Sequence, residues 1–195
     1  FAVLLGDDVI DAAEPCLKQM IRYYELYGGN IIGVQQVEPE DVSKYGIIKG
    51  EKMAPRLYKA EKLIEKPPLS EAPEVPLAIM GRYILNPEIL DILADLPPGK
   101  GGEIQLTDAL AELSKIQPVF AYDFEGKRYD VGDKFGFVRA TVEYALKHED
   151  IGDTLLDYLL ELITGYHKNK KTEVALSASH KQQSKKQKRV INSKL

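Results

Sequence analysis

An α/β fold built on a parallel sheet is what this sequence predicts, and two observations predict it. Residues 1–5 (FAVLL) are an apolar run ending at Gly6-Asp7-Asp8, the pattern of a buried strand. A stretch of helical period from Glu14 to Tyr27 and a second apolar run, Asn30 to Val37, follow it. Strand, helix and strand within the first 37 residues make a βαβ unit, whose strands run parallel. The composition, 195 residues with 44% hydrophobic and 29% charged, suits one globular domain with a core of useful size.

The elements follow in order. In the first helix Cys16/Leu17, Met20/Ile21, Tyr24 and Tyr27 form the apolar stripe, Pro15 suits the first turn and Gly28-Gly29 stops it. Pro39 to Tyr45 reads as a short helix or turn. Tyr45–Ile48 and Leu57–Ala60 read as short paired strands around a charged loop, and Lys62–Lys66 as a strand stopped by Pro67-Pro68. Four prolines in residues 67–76 mark a loop, and Leu77–Leu85 is a strongly apolar strand. Asn86 is placed to cap a helix that starts at Pro87 and runs to Leu96. A Gly-rich loop, 97–102, precedes a helix from Leu106 to Ile116 with Thr107 as its cap, then a strand from Val119 to Phe124 and a turn at Glu125-Gly126. Tyr129–Asp133 reads as a loop before a helix from Lys134 to His148, and Thr154–Ile163 as a last amphipathic helix.

Charge divides the chain. Gly165 to Leu195 holds 9 Lys and Arg against 1 acid, +8, and leaves 17 basic and 29 acidic side chains, −12, in the first 164 residues. So acidic a body argues against a nucleic-acid-binding domain. Residues 168–195 are rich in Lys, Ser and Gln and lack aromatics, the composition of a solvated, disordered tail. No apolar run reaches the ~18 residues of a membrane span, and no signal peptide opens the chain. The single cysteine, Cys16, excludes an intramolecular disulfide framework, so the expected compartment is the cytosol.

Five places carry candidate chemistry. Gly6-Asp7-Asp8 stands at the carboxyl end of a strand, where α/β folds bind ligands, and an acid there can hold Mg²⁺ against phosphate oxygens. Arg128-Tyr-Asp-Val-Gly-Asp133 offers a second acid: Asp133 directly precedes a helix and suits its cap, which leaves Asp130 as the freer ligand. Glu65 and Lys66, adjacent on a strand, should point to opposite faces unless Pro67 bends the chain. Glutamate suits sugar hydroxyls as an acceptor, and lysine suits a phosphate as a point charge. Gly46, after Tyr45, either admits a ligand to the backbone or makes a turn. Gly101–Asp108 joins a Gly-rich loop to a helix N-terminus, with the spacing of neither a P-loop nor a dinucleotide fingerprint. His148, His167 and His180 are scattered, so a His-based triad or metal cluster is excluded.

FAVLLGDD, Lys44–Ile47, Leu63-Ile-Glu-Lys-Pro67, Ala78–Leu85, GGEIQLTDA from Gly101 and GKRYDVGD from Gly126 occur in this order. As a set they resemble the bacterial UTP–glucose-1-phosphate uridylyltransferases, from Phe1 to about Gly165. The resemblance implies a Rossmann-like nucleotidyltransferase fold with a mixed, mainly parallel sheet. It implies nucleotidyl transfer from UTP to glucose 1-phosphate, giving UDP-glucose and pyrophosphate. Asp7 and Asp130 would hold Mg²⁺, and Lys66 would meet the sugar phosphate. Glu65, Tyr45, Gly46, Gly81 and Glu103 would complete the substrate site. A homo-oligomer formed through the C-terminal helices is also implied.

In that family the Gly-rich nucleotide loop and the base-reading residues lie upstream of the aspartate strand, where this chain starts. The expectation is therefore the sugar-phosphate half of the enzyme over residues 1–165 and an unrelated basic tail over 166–195, with little activity from the chain alone. The alternatives are a thymidylyl- or adenylyltransferase for hexose phosphates, a metal-dependent glycosyltransferase, and a non-catalytic oligomerising fragment.

Overall fold

The computed structural model describes residues 1–166. The chain divides into two compact units, Phe1–Phe137 and Val138–Leu195. The expected basic tail, with His167 and His180, lies outside the described residues apart from residue 166.

In the first unit a six-stranded mixed sheet holds β1 (Ala2–Leu4), β3 (Asn30–Gln36), β4 (Gly46–Ala54), β5 (Leu57–Glu65), β6 (Leu77–Ile84) and β7 (Val119–Asp123). A separate antiparallel ribbon joins β2 (Asp8–Asp11) to β8 (Lys127–Asp130). The helices are α1 (Cys16–Tyr27), α2 (Glu88–Asp95), α3 (Leu106–Leu113) and α4 (Lys134–Leu146), whose last residues fall in the second unit.

The sheet corrects the expectation of a mainly parallel one: among the described residues only β3–β7 is parallel. β1 and β3 do run the same way across α1, as the βαβ pattern required. β6 lies between them, antiparallel to both. The apolar run 77–85 competes for the space between two apolar strands and takes it, so every residue of β6 is buried. β6 also pairs with β4, and the pairings run in a circuit β6–β3–β7–β5–β4–β6.

Side-chain alternation splits the core between the sheet's two faces. Ile32, Val34, Ile48, Leu77, Ile79, Tyr83 and Ala121 pack with Ile89 of α2 and with Ala109, Leu110 and Leu113 of α3. Ile31, Ile47, Ala78, Met80, Ile84, Phe120 and Tyr122 pack with Cys16 and Met20 of α1. The buried face of α1 is turned from the expected stripe. Gln19 is buried and Tyr23 packs on Tyr122 at 4.5 Å between centroids, while Ile21 and Tyr24 are exposed. Gln19 is kept there by its amide, which donates to the carbonyls of Glu14 and Glu125 and accepts from the Glu125 N–H.

Other boundaries differ for local reasons. Residues 1–5 are not buried: Phe1, Leu4 and Leu5 are exposed, because among the described residues β1 pairs on one side only, with β6. The 45–60 region is a hairpin with two nine-residue arms, its tight turn made by Pro55-Arg56. Arg56 takes a left-handed φ of 61°, and its guanidinium donates to the Asp123 carbonyl at 2.9 Å and pairs with Glu125 at 3.1 Å. Asn86 does not cap α2. Its N–H donates to Asn30 Oδ1 and its side-chain amide to Gln117 Oε1, in a polar cluster around the fully buried Asn30. Thr107 does not cap α3 either, which Gln105 precedes. In the second unit, residues 152–166 are helical.

Candidate active site

A cleft of about 360 Å³ opens in the first unit where β4, β5 and β6 meet the β2–β8 ribbon and the start of α3. Asp7, Tyr45, Gly46, Glu65, Lys66, Gly81 and Asp130 all line it. Glu103 does not: it is exposed on the loop before α3, where its carbonyl accepts from the Gly99 N–H at 2.8 Å, and Gln105 lines the cleft instead.

The acidic wall is organised by Gly81 and Arg128. Gly81 has φ +57°, and a Cβ there would run into the Asp8 carboxylate and come within 3.0 Å of Leu5 Cβ. Glycine is required both by the backbone and by the approach of the Asp7-Asp8 turn. Asp8 is buried and ion-paired to Arg128, and its carbonyl accepts from Arg82. Burial pushes the Asp8 carboxyl above its ordinary value, against the opposing pull of Arg128. Burial also works against the Arg128 charge, but Asp8 and Tyr45 return more, and its pKa rises. The remaining arms of Arg128 donate to Asp130 Oδ2 and to the Tyr45 hydroxyl, each at 3.2 Å.

Asp8 is thus occupied by arginine, whereas Asp7 and Asp130 converge. A Cβ built on Gly132 would lie 3.2 Å from Asp130 Oδ1 and 3.3 Å from Asp7 Oδ2, so one small gap is flanked by two carboxylate oxygens. The Gly132 N–H donates to Asp130 Oδ1 at 3.1 Å, and the Val131 N–H to the Asp7 carbonyl at 2.8 Å, which ties the two loops together. Asp133 faces elsewhere, accepting from the Gly136 N–H at 2.8 Å in the first turn of α4. No cluster of three or more His, Cys, Asp or Glu suited to a metal exists among the described residues. Two hard oxygens are a donor set that fits Mg²⁺, which takes one or two carboxylates and completes its shell with water and phosphate. They do not fit a closed zinc site.

Across the cleft stand Glu65 and Lys66. Strand alternation predicts opposite faces, yet both line the cleft, with Lys66 Nζ 3.3 Å from Glu65 Oε1. The reason is that β5 ends at Glu65. Lys66 takes a left-handed φ of 45°, which turns its side chain back to the same side. That conformation is held by the Lys66 N–H donating to the Tyr45 carbonyl at 3.0 Å and by Lys100 donating to the Lys66 carbonyl. Gly46 pairs directly with Glu65 across the hairpin, and a Cβ on it would lie 2.6 Å from Thr107 Oγ1 and 3.1 Å from Glu65 Oε2. The glycine is what allows α3 to approach the end of β5.

Thr107 and Arg128 are two polar residues of the cleft that sequence reasoning missed. Thr107 looked like a helix cap, and Arg128 stood unremarked beside Asp130. A signal for Arg128 existed: a cation two residues from a candidate ligand on a strand shares its face.

A model of the family described as "Nucleotidyl transferase" matches residues 1–147. The chain belongs to the nucleotidyl transferase family. The nucleotidyl transferases it resembles include UTP–glucose-1-phosphate uridylyltransferase 2 of Staphylococcus saprophyticus, 50% identical over 162 residues, 83% of this chain and 56% of the relative. They include the Bacillus subtilis UTP–glucose-1-phosphate uridylyltransferase, 49% identical over 163 residues, 84% of this chain and 56% of the relative. Among solved structures, a UDP-glucose pyrophosphorylase complexed with UDP-glucose matches with a TM-score of 0.72 and 43% identity, over 76% of this chain and 56% of that one. A UTP-bound enzyme from Acinetobacter baumannii matches with a TM-score of 0.74 and 34% identity, over 83% of this chain and 56% of that one. The chain spans about half the length of the curated relatives it matches.

Proposed function

We propose that this chain supplies the sugar-phosphate and metal side of a uridylyl transfer. An oxygen of the glucose 1-phosphate phosphate attacks the α-phosphorus of UTP, the bond from that phosphorus to the bridging oxygen breaks, and UDP-glucose and pyrophosphate form. One observation carries this: a single cleft has the convergent acids Asp7 and Asp130 on one wall and the Glu65-Lys66 pair on the other. The names of relatives about 50% identical to this chain, which spans 56% of their length, support it.

Glu65 accepts hydrogen bonds from glucose hydroxyls, and Lys66 presents its ammonium to the phosphate. Gly46, Gly81 and Tyr45 line the pocket that the sugar ring enters. Asp7 and Asp130 would hold Mg²⁺, which when bound neutralises charge on the phosphate oxygens. Phosphoryl chemistry of this kind rests on positioning and electrostatics, so the chain needs no nucleophilic side chain.

The same reading makes the protein cytoplasmic and self-associating. No helix among the described residues is long and apolar enough to cross a membrane. Tyr158, Leu162 and Tyr166 recur at four-residue spacing on the 152–166 helix and are all exposed, which suits a second copy of the chain. Sedimentation of the full chain against a version ending at Ile163 tests whether the residues beyond take part.

Calorimetric titration of glucose 1-phosphate into the 195-residue chain tests the function. Saturable binding that Glu65→Ala abolishes is expected, with little pyrophosphate release on adding UTP and Mg²⁺. Absence of binding overturns the sugar-phosphate assignment, and robust turnover overturns the half-site assignment.

A further inference from the structure

Glu65 is the most enclosed charged group facing the cleft from the hairpin side, its side chain only 10% exposed. Two groups hold it. Lys66 Nζ lies 3.3 Å from Oε1, and Thr107 Oγ1 donates to Oε2 at 2.7 Å. The two holders differ in kind. Lys66 is half-exposed at the end of a flexible stem, so its ammonium is free to follow a phosphate. Thr107 is buried in the first turn of α3, among the residues that pack on the sheet. Its χ1 is stiff because it is β-branched. A short hydrogen bond from a rigid neutral donor to a carboxylate fixes the orientation of that carboxylate.

The surroundings are built around this contact. The hydroxyl does not cap its own helix, although its position near a helix start suits that use, but is spent on a residue 42 positions away. Gly46 leaves the space in which the two side chains meet.

We propose that Thr107 is a positioning residue that sets sugar recognition through Glu65. Its hydroxyl occupies one lone pair of Oε2 and locks the carboxylate plane, so that the remaining lone pairs face the hydroxyls of the bound hexose. The inference rests on the sugar-phosphate assignment of the cleft. It adds that the sugar half of the ligand is read by the Thr107–Glu65 pair and the phosphate half by Lys66.

The test compares glucose 1-phosphate with inorganic phosphate as calorimetric probes of the full chain. Thr107→Val removes the hydroxyl at nearly constant volume, and Thr107→Ser restores it. The expected result is about a tenfold loss of glucose 1-phosphate affinity in Thr107→Val, with phosphate affinity unchanged and Thr107→Ser within about twofold of the parent. Thr107→Ala gives the same selective loss and serves if the valine variant does not fold. Unchanged glucose 1-phosphate affinity in Thr107→Val or Thr107→Ala overturns the proposal alone. Equal losses for both probes also overturn it, because a structural role would disturb the whole cleft. If the parent chain binds phosphate but shows no preference for the sugar phosphate, the assignment of the cleft falls and this proposal with it.

Discussion

Arg128 and Asp8 form an ion pair diagonally across the β2–β8 ribbon, in which Asp8 lies opposite Asp130 and Arg128 opposite Ile10. Only 14% of the Arg128 side chain and 7% of the Asp8 side chain are exposed, so the pair exchanged two hydration shells for each other. Arg128→Met should leave an uncompensated carboxylate inside the protein and cost about 3–5 kcal/mol of unfolding free energy. Adding Asp8→Asn should recover most of that loss. Urea titrations of the parent, the single variant and the double variant measure both quantities. A double variant no more stable than Arg128→Met would mean that the pair is not the source of the loss.

Gly81→Ala should destabilise through two terms. A left-handed φ costs an L-residue about 1–2 kcal/mol, and the added methyl would displace the Asp8 carboxylate from Arg128. A loss beyond the backbone term, read from urea unfolding, is expected for Gly81→Ala. The same substitution at Gly101, also at positive φ but with open space where the Cβ would go, should show the backbone term only.

Divalent cation binding should separate the two aspartates of the 130–133 loop. Asp130→Asn and Asp7→Asn are each expected to weaken Mn²⁺ binding, followed by the loss of free-ion signal in electron paramagnetic resonance, at least tenfold. Asp133→Ala should leave it unchanged and instead cost about 1 kcal/mol of stability, the usual loss for a helix-start acceptor. Equal effects of the three substitutions on Mn²⁺ would reject the pairing of Asp7 with Asp130.

Cys16 should be unreactive in the native protein. It is buried at the start of α1, and burial pushes its thiol up to about 12, with Arg82 opposing weakly. At pH 8 a colorimetric disulfide reagent should modify it only after denaturant is added, because the thiolate is the reacting form. Rapid modification of the folded chain would contradict its burial.

Stability should carry a signature of Asp123. Burial raises its carboxyl above the ordinary value, Arg56 opposes that and Glu125 adds to it. The folded state therefore holds this proton more tightly than the unfolded chain. The contribution to stability is full below the unfolded value of about 3.9 and is lost as pH rises through the folded value. Asp123→Asn cannot titrate, so its stability relative to the parent should improve from about pH 4 to neutrality. A constant difference in urea midpoints across that range would contradict the shift.

Much of this architecture is legible in the sequence because its signals are local. The apolar run of β6, the glycines that end α1 and the acid–glycine loops all lie within a few residues of what they determine. The residues named for the site reach one cleft, Glu103 excepted, because all but Gly81, inside β6, stand at or beside strand ends. What stayed hidden depends on distant partners. Thr107 finds Glu65 across 42 residues and Arg128 finds Asp8 across 120, and no periodicity encodes such meetings. β2 and β8, four residues each, are too short to show alternation, so the sequence suggests no strand at either place. The parallel share of the sheet was overestimated because nothing near residues 1–37 announces that β6 will lie between β1 and β3.

The β4–β5 hairpin pairs Gly46 with Glu65 at the cleft and Ala54 with Leu57 at the turn, and its register shifts twice in between. Glu61 is the extra residue on one arm and Met53 the extra residue on the other, so the two shifts cancel. The arrangement works as a ruler with two compensating notches. Loss of either notch alone would slide one arm by a residue, turn its side chains to the opposite face and part Gly46 from Glu65. Loss of both together would shorten the hairpin and keep the site. Length variation in this hairpin should therefore be inherited in matched pairs, one residue from each arm, with the cleft acting as the gauge that selects them.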